Sequence, residues 1–405
     1  MALPSPTPRA LAFVIAGVAL MLTGFLVGTQ NTAWPALFLA ALPLACLASA
    51  LLALPRIGVS RTITPGVVAA RETATVTLTA TAARPSASGT ATIEDDPGPA
   101  LGTPHRMQAD ASGRGRSTVS EYLLRPRRRG RYTLDGCRVR FTDVFGFWVW
   151  TVRVEHATVL TVTPPVVALP PLRTHSYGMT GETPIPHTAM AGPDDAMVRE
   201  YRPRDDVRRI HWPSTARLGT LMVRREEAAW DPTAWVLLDT RADAYPADAA
   251  GRAGFETLVS AAASIGLRLL EDGCTVTLVG AGGLRQQVAA DAPDARESLM
   301  EPLIEVGLTD LTDLSEATVN VAQAGGDQLL VALLGVLDPR SADLLTAAGG
   351  PRQQRLAFVL GPDAAQRDSF QEASEILTAH GWEVREITSL SALPHAWAPE
   401  AGQAR

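Results

Sequence analysis

The sequence predicts two transmembrane helices at the N-terminus, then an antiparallel β-sandwich-like domain and a doubly wound α/β domain with a parallel sheet. Three observations support this fold class. Two uncharged apolar stretches lie within the first 54 residues, short alternating strands continue to residue 167, and strands alternating with helices fill residues 233–390. A chain of 405 residues exceeds one ordinary domain, so it has room for this arrangement.

The apolar stretches predict a membrane-spanning hairpin over residues 10–54, with spans at 10–28 and 33–54. Neither span contains a charged residue, and at about 1.5 Å per residue each can cross a hydrocarbon core about 30 Å thick. Arg9, Arg56 and Arg61 flank the outer ends, whereas the connector has no positive charge. This asymmetry predicts cytoplasmic soluble domains. The alternative, a secretory signal peptide, would have a shorter apolar core.

Charge and cysteine content exclude several functional classes. A net charge of -6 is mild for this length and argues against a dedicated nucleic-acid-binding protein. Three cysteines lie far apart, which predicts neither a disulfide framework nor a thiolate zinc site. The sequence contains no phosphate-binding loop, no His-Glu-x-x-His pair and no Gly-x-Ser-x-Gly elbow. No catalytic residue and no cofactor-binding residue is therefore predicted, and we expect a protein that is not an enzyme.

Residues 57–167 predict the β-rich domain. The segment "GRYTLDGCRVRFTD" (130–143) alternates apolar and polar residues and changes phase at Gly136, which predicts a bulge or a turn. Residues 168–232 follow as a linker, residues 233–390 form the α/β domain, and residues 391–405 are a tail. Strands are predicted at 234–239, 275–279, 329–334, 356–360 and 382–387.

Asp239 and Asp243 are candidate ligands for a hard cation such as Mg²⁺. In a doubly wound sheet the ligand site lies at the carboxyl ends of the strands, where Asp239 stands. Oxygen ligands two and four residues later would complete the coordination shell, and those positions are Arg241 and Asp243. Because an arginine repels a cation, we favour the alternative that Asp239 caps the following turn. The "GAGG" stretch (280–283) is expected to be a plain turn.

Two stretches are rich in arginine. The run "RPRRRGR" (125–131) either contacts anionic lipid headgroups or forms a solvated hairpin tip, and the sequence leaves both open. The stretch "REYRPRDDVRRIHW" (199–212) places arginines beside carboxylates and two aromatic rings, which favours ordered ion pairing over merely solvated charge. We expect this pairing to fix the two soluble domains relative to each other, with a docking face as the alternative.

The same stretch resembles the signature of the bacterial "domain of unknown function 58" family. The residues that carry this resemblance are Arg199, Glu200, Tyr201, Asp205, Asp206, Arg208, Trp212 and Arg217. Arg204 and His211 depart from the pattern, where the family usually has glycine and aspartate. The segments "RGRYTLDG" (129–136), "DVFGFW" (143–148) and "TVTPPVVAL" (161–169) are also similar to the family.

The resemblance implies a multi-pass protein of the bacterial inner membrane with a von Willebrand factor A-like domain at 233–390. It implies a MoxR-type AAA+ ATPase as partner, and sometimes a transglutaminase-like membrane protein. In that domain type the metal site begins Asp-x-Ser-x-Ser, of which residues 239–243 keep only the first. We therefore expect a membrane-anchored adaptor rather than a metal-dependent one. The alternatives are a subunit of an envelope or cell-wall enzyme system and a cation-dependent ligand-binding module.

Overall fold

A computed structural model describes most of the chain. The described residues are 4–28, 30–52, 56–86, 88–171, 198–200, 212–224, 233–322, 329–348 and 354–398. The chain divides into two compact units, of which the first comprises residues 1–166 with 300–307 and the second comprises residues 167–299 with 308–405. Most of the charged signature lies outside the described residues, which include neither residues 201–211 nor residues 225–232.

The first unit begins with a short strand, β1 (Ser5–Pro6), and two helices, α1 (Pro8–Val27) and α2 (Ala33–Leu52). Gly28, with a left-handed φ of 71°, ends α1 as a helix-terminating glycine does. At Gly17 the helices approach so closely that a Cβ atom would lie 2.9 Å from the Ala36 carbonyl oxygen. Helix α1 has a mean hydropathy of 2.5 and the length of a membrane span. The predicted pair of N-terminal helices is confirmed; of the two, α1 is long and apolar enough for a membrane span, and α2 is apolar over the shorter stretch Ala33–Ser49.

The rest of the first unit is built mainly from antiparallel strands. They are β2 (Arg56–Thr64), β3 (Val67–Ala69), β4 (Ala74–Arg84), β5 (Thr90–Asp96), β6 (His105–Asp110), β7 (Ser117–Leu124), β8 (Gly130–Leu134), β9 (Gly136–Thr142), β10 (Trp148–Arg153) and β11 (Thr158–Thr163). Three sheets result, in the orders β1-β10-β9-β5-β6, β2-β4-β7 and β3-β11-β8. Only the pairing of β3 with β11 is parallel among the described strands of this unit. The predicted antiparallel character is therefore confirmed.

The change of phase at Gly136 is a transfer between two sheets. Strand β8 pairs with β11, whereas β9 pairs with β5 and β10. The chain leaves one sheet after Leu134 and enters the other at Gly136, so the apolar face changes without a bulge. A Cβ atom at Gly136 would lie 2.5 Å from the Asp96 carbonyl oxygen, and only glycine permits this approach.

Along the chain, three short elements follow the β-rich region and precede the six-stranded sheet. They are β12 (Val198–Glu200), α3 (Trp212–Leu218) and β13 (Met222–Arg224). The two short strands pair antiparallel, with Arg199 opposite Val223 and Glu200 opposite Met222. The described part of the predicted linker therefore contains regular structure.

The second unit contains a six-stranded sheet with helices between the strands. Its elements are β14 (Thr233–Leu238), α4 (Ala249–Glu271), β15 (Thr275–Gly280), β16 (Arg285–Val288), α5 (Ala295–Glu305), α6 (Ser315–Ala322), β17 (Leu329–Leu334), α7 (Pro339–Thr346), β18 (Gln354–Leu360), α8 (Arg367–Ala379), β19 (Trp382–Ile387) and α9 (Leu393–Trp397). The second half of α5, from residue 300, belongs to the first unit. The strand order is β16-β15-β14-β17-β18-β19. Helix α4 is apolar enough for a membrane span but is 72% buried, which marks it as a core helix.

The predicted fully parallel sheet requires one correction, at its edge. Strand β16 runs antiparallel to β15, while the other neighbours in this sheet are parallel. The connection at Gly282 and Gly283, which have φ values of 73° and 81°, is a tight turn. So short a connection can only return the chain antiparallel to the strand it has just left. The plain turn predicted at residues 280–283 is confirmed.

The α/β region also continues beyond residue 390, where the sequence predicted a tail. Leu393 and Trp397 of α9 are buried, and the Trp397 ring stacks on Phe358 with centroids 6.2 Å apart. The Trp397 Nε1 donates a hydrogen bond of 3.0 Å to the Pro170 carbonyl oxygen. These contacts place α9 in the second unit, and a helix of five residues was too short for its period to be recognised.

Candidate functional site

The candidate site lies where the strand order of the second unit reverses. The chain moves from β14 to β15 on one side and later returns to β17 on the other side. In doubly wound sheets this reversal opens a crevice at the carboxyl ends of the two strands, and ligands bind there. Asp239 follows β14 directly, and the loop from Gly335 to Asp338 follows β17. The structure thus brings residues almost 100 positions apart to one place.

A buried ion pair between Asp239 and Arg241 fills this position. The Arg241 Nε donates to Asp239 Oδ1 at 2.9 Å, and its Nη2 donates to Oδ2 at 2.8 Å. The backbone N of Arg241 also donates to Oδ1 at 3.1 Å, and the Gly335 N lies 3.4 Å from Oδ2. Asp239 is fully buried and Arg241 is 5% exposed. The backbone hydrogen bond confirms that Asp239 caps the following turn.

Further contacts hold the Arg241 side chain in place. Its Nη1 donates to Ser341 Oγ at 3.0 Å, and Ser341 N donates to the carboxylate of Asp338 at 2.8 Å, where Asp338 caps α7. The Tyr245 hydroxyl donates to the Asp239 carbonyl oxygen at 2.6 Å. The bidentate geometry is the strong form of an arginine-carboxylate pair, and the additional donors and acceptors make it a connected network.

The electrostatic environment fixes the protonation states of Arg241 and Tyr245. Burial by itself lowers the pKa of the Arg241 guanidinium, but the hydrogen bond and charge of Asp239, with the charges of Asp243 and Asp338, outweigh it and raise the pKa. Burial and the charge of Asp239 raise the pKa of Tyr245 well above its ordinary value. Arg241 therefore stays charged and Tyr245 keeps its proton at every physiological pH.

This arrangement does not fit a divalent cation. Both carboxylate oxygens of Asp239 already accept hydrogen bonds from Arg241, so a cation would have to displace a guanidinium. Asp243, the other predicted ligand, is exposed and acts on Arg241 through its charge. The guanidinium thus supplies the positive charge that a cation would otherwise supply. Cation binding at Asp239 and Asp243 stays a prediction.

Gly335 controls how closely the loop after β17 approaches Asp239. A Cβ atom there would lie 2.3 Å from the Ala244 carbonyl oxygen, which belongs to the backbone and cannot rotate away. We expect Gly335→Ala to lower the free energy of unfolding of the second unit by roughly 1–3 kcal/mol, as overpacking does. Gly307→Ala, in the first unit, controls for the change from glycine to alanine itself, because a Cβ atom there meets nothing within 4 Å. Equal denaturation midpoints for the two variants would contradict the prediction.

A second buried ion pair lies between the sheets of the first unit. Arg61 of β2 donates from Nε to Asp95 Oδ2 of β5 at 3.0 Å and makes a second hydrogen bond to Asp95 Oδ1. The Arg61 Nη1 donates to the Leu134 carbonyl oxygen at 2.5 Å, and the Tyr122 hydroxyl donates to Asp95 Oδ2 at 2.7 Å. The sequence had placed Arg61 only at the membrane flank. Nothing local in the sequence links these residues, since they lie on different strands.

Burial dominates the titration behaviour around this second pair. Burial and the hydrogen bond to Asp95 raise the pKa of Tyr122 far above its ordinary value. Burial, together with the charge of Asp95, raises the pKa of the Cys137 thiol to about 11. Cys137 is therefore an unreactive core thiol, since the thiolate is the nucleophilic form.

The arginine run at residues 125–131 is partly engaged within the first unit. The Arg129 Nε donates to the Leu303 carbonyl oxygen at 2.8 Å, near the end of α5. Arg131 forms ion pairs with Glu301 and, at 3.6 Å, with Glu305. Arg127 and Arg128 are exposed. Arg125 is exposed as well. The alternatives of lipid contact and a solvated tip therefore concern Arg125, Arg127 and Arg128, and not Arg129 or Arg131.

The predicted signature residues are only partly described. Arg199 and Glu200 lie in β12, while Tyr201, Asp205, Asp206 and Arg208 fall outside the described residues, together with the departures Arg204 and His211. Trp212 begins α3 with 66% of its surface exposed, and Arg217 is exposed in the last turn of that helix. The described part of the signature thus presents an aromatic ring and an arginine to solvent.

Comparison with known proteins identifies the segment that contains Asp239 and Arg241. Residues 197–306 match the family described as "Protein of unknown function DUF58". The chain carries a DUF58 segment. The family resemblance predicted from Arg199 to Arg217 is therefore confirmed.

One relative and several solved structures are similar to parts of this chain. The "Uncharacterized protein YeaD" of Bacillus subtilis (strain 168) is 27% identical over 257 residues, which cover 54% of this chain and 59% of that protein. The chain thus matches less than two thirds of that relative's length. The CARDB domain of PF1109 from Pyrococcus furiosus is 13% identical, with a TM-score of 0.19 over 27% of this chain and 93% of that one. Cwp6 from Clostridium difficile is 9% identical, with a TM-score of 0.17 over 84% of this chain and 55% of that one. These structural similarities are too low to support any assignment.

Proposed function

We propose that this DUF58-segment protein is a membrane-anchored adaptor with cytoplasmic domains that dock a MoxR-type AAA+ ATPase. In this proposal α1 and α2 form a hairpin that crosses the membrane twice, and the second unit is a von Willebrand factor A-like domain. Strand order β16-β15-β14-β17-β18-β19 with an acidic residue after β14 supports that interpretation of the second unit. The arginines Arg9 and Arg56 at the outer ends of the hairpin support cytoplasmic domains.

The observation that carries the proposal is the closed ion pair at the place where a ligand would bind. Asp239 has no exposed surface, and Arg241 engages both its oxygens. A carboxylate in that state is available neither as a general base nor as a metal ligand, because each role needs a free oxygen. A sealed network of this kind favours a rigid binding module over an enzyme and over a cation-dependent binder.

Exposed residues of α3 offer a docking face within the DUF58 segment. Trp212 exposes 66% of its surface, and Arg217 is exposed on the same short helix. Tryptophan and arginine are the residues that most often dominate binding energy at protein interfaces. This pairing supports the docking alternative for the charged stretch from Arg199 to Trp212.

The adaptor proposal predicts binding without turnover. Affinity capture of the full-length protein from detergent-solubilised membranes should recover the ATPase in the presence of nucleotide. Reversing the charges with Asp205→Lys and Asp206→Lys should reduce this capture, because both carboxylates belong to the signature. A melting curve of the purified variant separates lost docking from lost folding.

The matched control reverses two acids of the same DUF58 segment that lie outside the signature. Asp291 and Glu297 are exposed, so Asp291→Lys with Glu297→Lys changes the net charge equally and should leave capture intact. Repeated failure of the wild-type protein to recover the ATPase would overturn the proposal. Equal loss of capture in both double variants would instead show a nonspecific charge effect and refute the role of the signature.

A further inference from the structure

The turn between β9 and β10 contacts both N-terminal helices. The Phe147 ring is 2% exposed and lies 4.9 Å from the Phe13 ring of α1, measured between centroids. The Trp148 Nε1 donates a hydrogen bond of 2.7 Å to the Pro43 carbonyl oxygen of α2. Thr7, which caps α1, donates from its hydroxyl to the Gly146 carbonyl oxygen at 2.7 Å. The turn and the helical hairpin therefore form one packed structure inside the first unit.

The turn is held rigidly by Asp143. This residue is 4% exposed, and its carboxylate accepts hydrogen bonds from Trp148 N at 2.6 Å and from Phe145 N at 3.2 Å. Gly146, with a φ of 73°, supplies the left-handed conformation that closes the turn. A carboxylate that accepts two backbone hydrogen bonds fixes a loop much as it caps a helix, so the residues at the tip have a defined position.

The tip of this rigid turn exposes two large apolar side chains. Val144 is 62% exposed and Phe145 is 53% exposed. The Phe145 ring stacks on the buried Phe147 ring, with centroids 5.8 Å apart, and Phe147 in turn contacts α1, so the exposed side chains lie beside the hairpin. Two large apolar side chains held at the tip of a rigid turn beside an apolar hairpin are suited to contact with lipid.

The position of the turn along the helices places this patch at the level of a membrane interface. Phe13 comes five residues after the start of α1 at Pro8, and Pro43 comes nine residues before the end of α2 at Leu52. At about 1.5 Å per residue these contacts lie roughly 8 and 14 Å from the helix ends. Each helix of 20 residues only just spans a hydrocarbon core about 30 Å thick. These two contacts lie within the hydrocarbon core, whereas Gly146 contacts Thr7, the residue that caps α1 at its start. The tip of the turn therefore lies level with the start of α1, at the boundary between headgroups and acyl chains.

We propose that Val144 and Phe145 insert into the lipid interface beside the hairpin. The turn between β9 and β10 then contacts the bilayer as a third element, in addition to α1 and α2. Phenylalanine and other large apolar side chains bury in that layer, as they do on helices that lie in the membrane interface. The Arg9 guanidinium lies close to Gly146, where it can contact anionic headgroups. The turn thereby fixes the β-rich region against the membrane surface. This inference rests on the membrane anchoring in the proposed function.

Depth-dependent fluorescence quenching tests the inference on the full-length protein in nanodiscs of phosphatidylcholine and phosphatidylglycerol. Cys46 and Cys137 are buried, so replacing Cys274 with serine leaves a background for labelling single introduced cysteines. An environment-sensitive fluorophore at Phe145→Cys or Val144→Cys should show a blue-shifted emission. Spin-labelled lipids should quench that emission.

Two reference positions make the result decisive. Val119, on β7, is 58% exposed and should give an unquenched, water-like signal as Val119→Cys, whereas Phe25 of α1 is 85% exposed and should be strongly quenched as Phe25→Cys. A Phe145→Cys signal equal to that of Val119→Cys, with Phe25→Cys quenched, would overturn the inference while leaving membrane anchoring intact. An unquenched Phe25→Cys signal would overturn the anchoring itself. A melting curve of each labelled variant identifies any that has unfolded, and Val144→Cys then replaces Phe145→Cys.

Discussion

Asp95→Ala is expected to lower the free energy of unfolding of the first unit by roughly 3–5 kcal/mol, because it leaves a buried guanidinium without its carboxylate. Arg61 and Asp95 are 6% and 0% exposed, so water cannot take over the lost contacts. The Tyr122 hydroxyl would lose its acceptor in the same variant. Hydrogen exchange of peptides from β2 and β5 measures this loss within the unit, without assuming that the whole chain unfolds in one step.

An exposed ion pair in the same sheet provides the control. Arg106 and Glu94 pair at 3.2 Å with side chains 71% and 35% exposed, and such pairs contribute only about 0–1 kcal/mol. Glu94→Gln should therefore leave the exchange rates of these peptides nearly unchanged. If Asp95→Ala proved no more harmful than Glu94→Gln, the buried pair would not hold the sheets together. Combining Asp95→Leu with Arg61→Met should recover much of the loss, because no charge then stays buried.

The sequence predicts the bounds of individual helices and strands better than it predicts which of them pair in the fold. Apolar periodicity predicted the strand Trp382–Ile387 at its observed bounds. Gly273 and Gly381, with φ values of 83° and 81°, follow the ends of α4 and α8, as helix-terminating glycines do. These signals are local, because the side-chain period and the left-handed glycine depend on neighbouring residues alone. Strand direction at β16 was missed because periodicity does not distinguish parallel from antiparallel neighbours.

In the candidate site, too, the sequence predicted contacts between neighbouring residues and missed those between distant ones. Asp239 and Arg241 are two residues apart, so the sequence revealed that an arginine occupies the place of a cation ligand. Gly335 and Ser341 complete the network from a loop almost 100 residues away, and only the folded sheet brings them there. Arg61 and Asp95 were missed entirely, because their pairing joins two strands of different sheets and leaves no pattern within either strand.

Arg241→Ser is expected to destabilise the second unit by roughly 3–5 kcal/mol, since the Asp239 carboxylate would stay buried without its positive partner. The backbone donors at Arg241 and Gly335 satisfy part of that charge, at 3.1 and 3.4 Å, but neither carries a positive charge. Thermal melting with hydrogen exchange of β14 and β17 peptides measures the effect. Arg340→Ser is the matched control, because Arg340 is an exposed arginine of the neighbouring helix α7.

Melting with and without magnesium tests whether the Arg241 guanidinium takes the place of a bound cation or only forms a structural ion pair. In the wild-type protein Mg²⁺ should leave the melting temperature unchanged, because it would have to displace a guanidinium that makes two hydrogen bonds to Asp239. In Arg241→Ser the short side chain vacates the space of the guanidinium, and the negative charges of Asp239, Asp243 and Asp338, which act on Arg241 in the wild-type protein, are left uncompensated. Carboxylate and hydroxyl oxygens are the ligands that Mg²⁺ prefers. Mg²⁺ should then raise the melting temperature of this variant alone, as a ligand that binds only the folded state does. A magnesium-dependent shift in the wild-type protein would show that Arg241 yields to a cation, and absence of any shift in the variant would show that the guanidinium does not stand in for one.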